Sequence, residues 1–197
     1  MASFFVALAA SPRSSSRSRA LLEIAIARLQ AQGAEVRYFR LEDFVAQDLL
    51  APHISSPSLQ EWNDAVARAD GLLLATPVYK ASFSAGLKAL LDVLPERGLK
   101  DKVVLTLSTG GSKRHQLAVD HGLRPVLSVL KAVIVSESLH ASEEEARRDS
   151  SGQLQWQPAV LQRLEKVLQQ FWRQLPAPRG IDQSQLRQSI LAARISV

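Results

Sequence analysis

The sequence predicts an α/β domain built on a doubly wound, five-stranded parallel sheet with helices on both faces. Three observations predict it. Short, nearly continuous apolar runs recur at 4–9, 36–41, 72–76, 103–107 and 133–135 or slightly past it. Segments with helical periodicity separate them, at 19–32, 58–69, 84–94 and 113–130, and a last one follows at 158–174. Strands covered on both sides by helices read as unbroken apolar runs rather than as alternating ones. Finally, hydroxyl-rich, aromatic and glycine-bearing segments follow the first, third and fourth strands, where such sheets bind ligands.

Five strand–helix units within 197 residues most naturally take the flavodoxin-like strand order 2-1-3-4-5. The first strand, Phe4-Phe5-Val6-Ala7-Leu8-Ala9, feeds a helix whose broad apolar face carries Leu21, Leu22, Ile24, Ala25, Ile26 and Leu29. Gly33 stands where a left-handed residue ends that helix. Residues 141–157 are polar and charged and read as a surface excursion. Pro176-Ala177-Pro178-Arg179-Gly180 breaks the last core helix, so residues 1–175 form one domain and 176–197 a tail. The weak apolar pattern of Leu186, Ile190 and Leu191 suits a tail packed on its own domain or on a neighbouring subunit.

Composition narrows the chemistry. The chain has no cysteine, which excludes disulfides, thiolate catalysis and Cys-ligated metals; redox chemistry would belong to a bound cofactor. The apolar start is short with no basic segment before it, and no run approaches a membrane span, so a cytoplasmic protein is expected. A net charge of +5 raises the question of nucleic acid. The basic residues are scattered, however, and no zinc-finger or RNP signature accompanies them, so small anionic ligands are the better match.

Three segments carry the chemistry. Ala10-Ser11-Pro12-Arg13-Ser14-Ser15-Ser16-Arg17-Ser18 leads from a strand into a helix. Backbone N–H groups at a helix start face an anion, serine hydroxyls donate, and Arg13 and Arg17 add charge and forked donors. The same segment also suits a solvated loop with good N-cap residues. Thr76-Pro77-Val78-Tyr79-Lys80-Ala81-Ser82-Phe83-Ser84 follows the third strand. There Pro77 sets the exit angle, Tyr79 and Phe83 offer ring surface, and Ser82 and Ser84 suit a helix cap or a ligand oxygen. Ser108-Thr109-Gly110-Gly111-Ser112 lets backbone approach a ligand where side chains are absent.

Together, in this order and spacing, these segments resemble the NAD(P)H-dependent FMN reductase family. They are most similar to the flavin reductase component of two-component alkanesulfonate monooxygenase systems. The residues that carry the likeness are Ser11-Pro12-Arg13 through Ser18, Thr76-Pro77-Val78-Tyr79-Lys80, Leu87-Lys88-Ala89-Leu90-Leu91-Asp92, Leu94-Pro95-Glu96-Arg97, Thr109-Gly110-Gly111 and the segment from Gln116 to Leu127. It departs in having Ala10 where the family often has glycine, and Ser84-Ala85-Gly86 where the family pattern has Pro-Gly.

The resemblance implies an enzyme that passes hydride from NADPH or NADH to FMN and hands reduced flavin to an FMNH2-dependent monooxygenase. It implies that Ser11, Arg13, Ser16 and Ser18 hold the flavin phosphate with Arg17 nearby. Pro77, Val78, Tyr79 and Lys80 would border the ring with Ser82 close by, and Ser108, Thr109, Gly110 and Gly111 would line its other edge. It also implies a homodimer or homotetramer. Lys80, Lys113 and Arg114 are candidates for the pyridine-nucleotide phosphates. No acid or base is required of the protein, because the flavin carries the chemistry.

His121 is expected at a π-bulge, a position that the resemblance places near a subunit contact. Pro125 cannot donate to the carbonyl of residue 121, Gly122 weakens the same turn, and the apolar phase slips from Leu117 to Leu123, Val126, Leu127 and Leu130. A partly exposed histidine beside a proline kink is the plainer alternative. His115, Asp120 and His121 lack metal-site spacing, and His53 and His140 read as surface residues. No Walker A loop, GxGxxG or GxSxG occurs. A quinone, azo-dye or chromate reductase and a flavodoxin-type electron carrier remain as alternatives; the sequence pI near 9.9 argues against the carrier, a usually acidic class.

Overall fold

The computed structural model describes residues 2–51, 56–134, 137–150 and 152–175. The tail 176–197 and His53 lie outside the described residues. β1 (Phe4–Ala9) pairs in parallel with β2 (Glu35–Arg40) and with β3 (Gly71–Pro77). β3 pairs with β4 (Val103–Gly110), and β4 with β5 (Val133–Ile134). The order β2-β1-β3-β4-β5 is the flavodoxin-like one expected.

Alternate residues of each central strand feed two separate cores. Phe5, Ala7 and Ala9 face α1 (Arg17–Ala31) and α6 (Pro158–Arg173), packing with Leu21, Leu29, Val160 and Phe171. Val6, Leu8 and Ala10 face α3 (Pro57–Arg68), α4 (Ala85–Asp92) and α5 (Gln116–Val129), packing with Trp62, Leu87, Leu90 and Leu123. Fully buried aliphatic side chains of this kind contribute roughly 1.5–3 kcal/mol each relative to exposure. The buried Trp62 indole donates to the Leu90 carbonyl at 3.1 Å, tying α3 to α4 without leaving a polar atom stranded. Helix ends follow local chemistry. Pro57 opens α3, where a missing N–H costs nothing. Gly33, at φ +84°, ends α1 as expected. The segment between β2 and α3, which carried no assignment from the apolar pattern, holds a 3-10 turn at Leu41–Asp43 and the short α2 (Ala46–Leu50).

Four expectations need correction. First, β4 runs on to Gly110, so Ser108, Thr109 and Gly110 end a strand instead of forming a free loop. Second, that extension is paired on its far side by β6 (Leu139–Ser142), which the sequence reading placed in loop; Ser108 lies opposite His140 and Gly110 opposite Ser142. Third, the 141–157 excursion is not all surface: Ala141, Ala146 and Trp156 are buried, and a 3-10 turn at Glu143–Glu145 leads into the antiparallel pair β7 (Ala146–Arg148) and β8 (Leu154–Trp156).

The fourth concerns His121. Residues 116–129 are α-helical throughout, with Pro125 inside, after a 3-10 turn at Lys113–His115, so the π-bulge is not present. The phase slip vanishes because Leu117 belongs to the outer face, where it is 61% exposed. The buried stripe is Val119, Leu123, Leu127 and Leu130, an unbroken helical period. His121 is exposed.

Candidate functional site

Three strand ends converge on one cleft of about 430 Å3. Its wall includes Arg13, Ser15, Ser16 and Arg17 from the turn after β1, Pro77, Val78 and Tyr79 from the end of β3, and Thr109, Gly110 and Gly111 from the end of β4. Glu143 and Arg148 complete it from the excursion after β6. The volume falls in the range of about 300–1,000 Å3 typical of small-molecule sites.

The turn after β1 is shaped by its own hydroxyls. The Arg13 N–H donates to Ser11 Oγ at 3.2 Å, and the Ser16 N–H returns to the Arg13 carbonyl at 3.2 Å. Ser16 is the N-cap of α1 and accepts from the Arg19 N–H at 3.2 Å. That leaves the first-turn N–H groups of α1, at Arg17 and Ser18, with no preceding carbonyl to bond, and they add positive potential there. Ser11 and Ser18 are buried, and Ser18 Oγ lies 3.4 Å from Ser16 Oγ, so both support the turn from beneath. Arg13 is exposed at the mouth.

The excursion braces this turn. Arg148 donates to the Ser15 carbonyl and to the Gly152 carbonyl, each at 2.8 Å. Arg17 is ion-paired with Glu143, Nη2 to Oε1 2.5 Å. Glu143 begins a 3-10 turn anchored by Glu145, whose carboxylate accepts from the Ser142 N–H and from Arg163, both at 2.8 Å. Burial works against the charged form of Glu145, yet the Ser142 N–H and the Arg163 guanidinium outweigh it and hold its pKa below the usual carboxylate range.

The opposite end of the cleft is made of backbone. The Val78 N–H donates to the Thr109 carbonyl at 2.8 Å, extending the β3–β4 pairing. Tyr79 and Ser82 exchange both backbone hydrogen bonds, at 2.9 and 3.0 Å, and so close a two-residue turn. Lys80 and Ala81 within it take φ +48° and +61°, the left-handed pair of a type I′ hairpin. Ser84 caps α4 by accepting from the Leu87 N–H and donates to the Ala10 carbonyl at 2.6 Å, linking the two loops below the cleft.

His140 lies beneath the glycines. It is 3% exposed, not at the surface as its sequence context implied. Nε2 lies 3.0 Å from the Ser112 carbonyl, which can only accept, so Nε2 carries the proton. Nδ1 then accepts from the Ser108 hydroxyl at 2.8 Å. Burial, with His115 nearby, lowers the His140 pKa from 6.5 against the opposing pull of the Ser112 carbonyl. A Cβ on Gly110 would sit 2.8 Å from His115 Nδ1 and 3.2 Å from His140 Cε1, so two imidazoles pack where a side chain would be. Gly111 meets His115 only at 3.7 Å, an ordinary contact.

Set against known proteins, residues 5–146 match the family model of NADPH-dependent FMN reductase. The chain belongs to this family. It is 45% identical over 170 residues to the FMN reductase (NADPH) of Escherichia coli strain K12, covering 86% of this chain and 88% of that one. The FMN reductase (NADPH) of Pseudomonas putida strain KT2440 is 43% identical over 194 residues, 98% of each chain. Among solved structures, the apo form of the NADH:FMN oxidoreductase EMOB superposes with a TM-score of 0.80 at 35% identity, over 90% of this chain and 92% of that one. Membership makes this chain an NAD(P)H-dependent oxidoreductase that works with FMN. Among the described residues no helix is long and apolar enough to cross a membrane.

Within the family frame, the residues expected at the site divide. Arg13, Ser16, Arg17, Pro77, Val78, Tyr79, Thr109, Gly110 and Gly111 share the cleft wall. Ser108 does not, because its hydroxyl is taken by His140 behind the sheet end. Ser11 and Ser18 lie beneath the wall, and Lys80 and Ser82 are outside it, Lys80 on the exposed turn. Gly122, next to exposed His121, faces the 79–83 loop, since a Cβ there would come within 3.5 Å of Phe83. Sequence reasoning missed Ser15, Glu143, Arg148 and the role of His140. None of these carried a signal that singles it out, since Arg148 stands beside Arg147 in a run of both charges.

Proposed function

We propose that the chain reduces FMN with NADPH in this cleft, treats FMN as an exchangeable substrate, and delivers reduced flavin to a partner monooxygenase. The single observation that carries the reading is the convergence of the three strand-end segments on one cleft with cations at one end and backbone at the other. FMN has the matching halves, a phosphate and a flat tricyclic ring. Arg13, the hydroxyl of Ser16 and the start of α1 would hold the phosphate, and Tyr79, Val78 and Gly110 would border the ring. When bound, FMN supplies the hydride-accepting centre, and the chain supplies position and electrostatics. Strand ends joined by Val78–Thr109 and Ser84–Ala10 hydrogen bonds give that position little freedom.

The preference for NADPH rests on the names of the relatives at 45 and 43% identity; one at 32% is named an NADH-dependent FMN reductase. Delivery to a monooxygenase, in organosulfonate sulfur assimilation within the cytoplasm, rests on the resemblance of the motifs. A homodimer or homotetramer fits the exposed Leu117 and Tyr79, apolar surface that a second copy would cover. The test mixes purified protein with NADPH and FMN. NADPH absorbance falls at a rate proportional to enzyme, and FMN separates from the protein on gel filtration. An unchanged absorbance removes the reductase reading; stoichiometric FMN carried through the column removes the exchangeable-substrate version of it.

A further inference from the structure

Among the described residues, Glu143 is the one carboxylate in the wall of a cleft whose other charged members, Arg13, Arg17 and Arg148, are cations. It is held there by design of the fold. Its neighbour Ser142 ends β6 directly opposite Gly110, and the turn that follows is pinned through Glu145 to Arg163. The carboxylate reaches back across the cleft mouth to Arg17, whose side chain is 39% exposed, while Glu143 is 59% exposed. An ion pair this exposed contributes little to stability. Its effect falls on the ligand: an anion approaching the start of α1 finds one of three guanidinium charges already neutralised.

We infer that Glu143 competes with the flavin phosphate for Arg17 and thereby sets how loosely FMN is held. The inference rests on the reading that FMN binds here with its phosphate at the turn after β1. An exchangeable flavin needs a phosphate site strong enough to orient and weak enough to release. Glu143 weakens it by a fixed charge that leaves the turn itself intact, since that turn is shaped by Ser11, Ser16 and Arg148. A carboxylate beside a phosphate dianion at a solvated cleft mouth is worth about tenfold in affinity.

The test measures dissociation constants for FMN and for riboflavin, which lacks the phosphate, with wild-type protein, Glu143→Gln and Glu143→Ser. Both substitutions lie at the surface, and matching thermal melts verify the fold. FMN binds about tenfold tighter to both variants, riboflavin binds as to wild type, and the gain shrinks as salt is raised. Unchanged or weaker FMN binding overturns the inference, because Glu143 then orients Arg17 instead of competing for it. Equal tightening of riboflavin overturns it too, because the effect is then unrelated to the phosphate. A wild-type protein that takes up neither flavin removes the flavin reading itself, an outcome distinct from FMN bound equally by all three proteins.

Discussion

At one end of the cleft, Arg13, Ser15 and Ser16 offer side chains from a turn that stands largely in solvent; at the other, Val78, Thr109 and Gly110 offer backbone at the ends of β3 and β4, the latter paired on both sides. The first end depends on which residues are present. The second depends on where the sheet holds the chain, and its buried supports, Ser84 and His140, lie behind the cleft wall. Binding strength and fold stability should therefore respond separately to substitution at the two ends.

The largest effect belongs to the side-chain end. Arg13 is exposed, so Arg13→Ala should leave the thermal midpoint unchanged. Hydrogen bonds to charged groups contribute about 1.5–3 kcal/mol, which predicts FMN binding weakened about tenfold to a hundredfold. Riboflavin binding stays as in wild type. A midpoint that falls, or a riboflavin affinity that falls equally, would mean the turn is structural and the contrast between the two ends is false.

His140 tests the other end. His140→Leu removes two hydrogen bonds and strands the Ser108 hydroxyl and the Ser112 carbonyl, predicting a loss of about 2–3 kcal/mol in denaturant unfolding. The pH dependence has a definite sign. The folded-state pKa of His140 lies below its ordinary 6.5, so just below that value the unfolded chain binds the proton more readily. Its contribution to stability is present above pH 6.5 and is lost as pH falls through the lowered folded value. Unfolding free energies at pH 8 and about pH 5 should differ less in His140→Leu than in wild type. An identical pH slope in both proteins would show that His140 is not held neutral.

The same division explains what could be read in advance. Strand order, Gly33, the turn rich in serine and arginine, and the glycine pair are written in local apolar runs and residue types, and these were legible. β6 was not. Leu139-His140-Ala141-Ser142 is too short and too polar to announce a strand, and only the ladder against β4 makes it one. Glu143 and Arg148 sat in a charge run that reads as solvated surface, because their places in the cleft are set by that non-local pairing. His121 misled for a related reason. Counting Leu117 into the apolar stripe created a phase slip that the exposed position of that leucine removes.

The smallest expected effect probes whether the backbone end needs its side chains at all. Lys80 and Ala81 occupy left-handed conformations that cost a non-glycine residue roughly 1–2 kcal/mol, and type I′ turns favour glycine at the second position. Ala81 is exposed, so its methyl group packs little. In Ala81→Gly the relief of that strain is partly offset by about 0.5–1 kcal/mol of extra freedom in the unfolded chain. The net gain is then at most about 1.5 kcal/mol, a rise of up to about 6 °C in the thermal midpoint. Flavin affinity should not move, because Tyr79 is held by its paired backbone bonds with Ser82 and by the Val78–Thr109 link, not by the turn's side chains. A gain in stability with a loss of affinity would show that the strain itself positions Tyr79, and the ring end would then depend on its residues as closely as the phosphate end does.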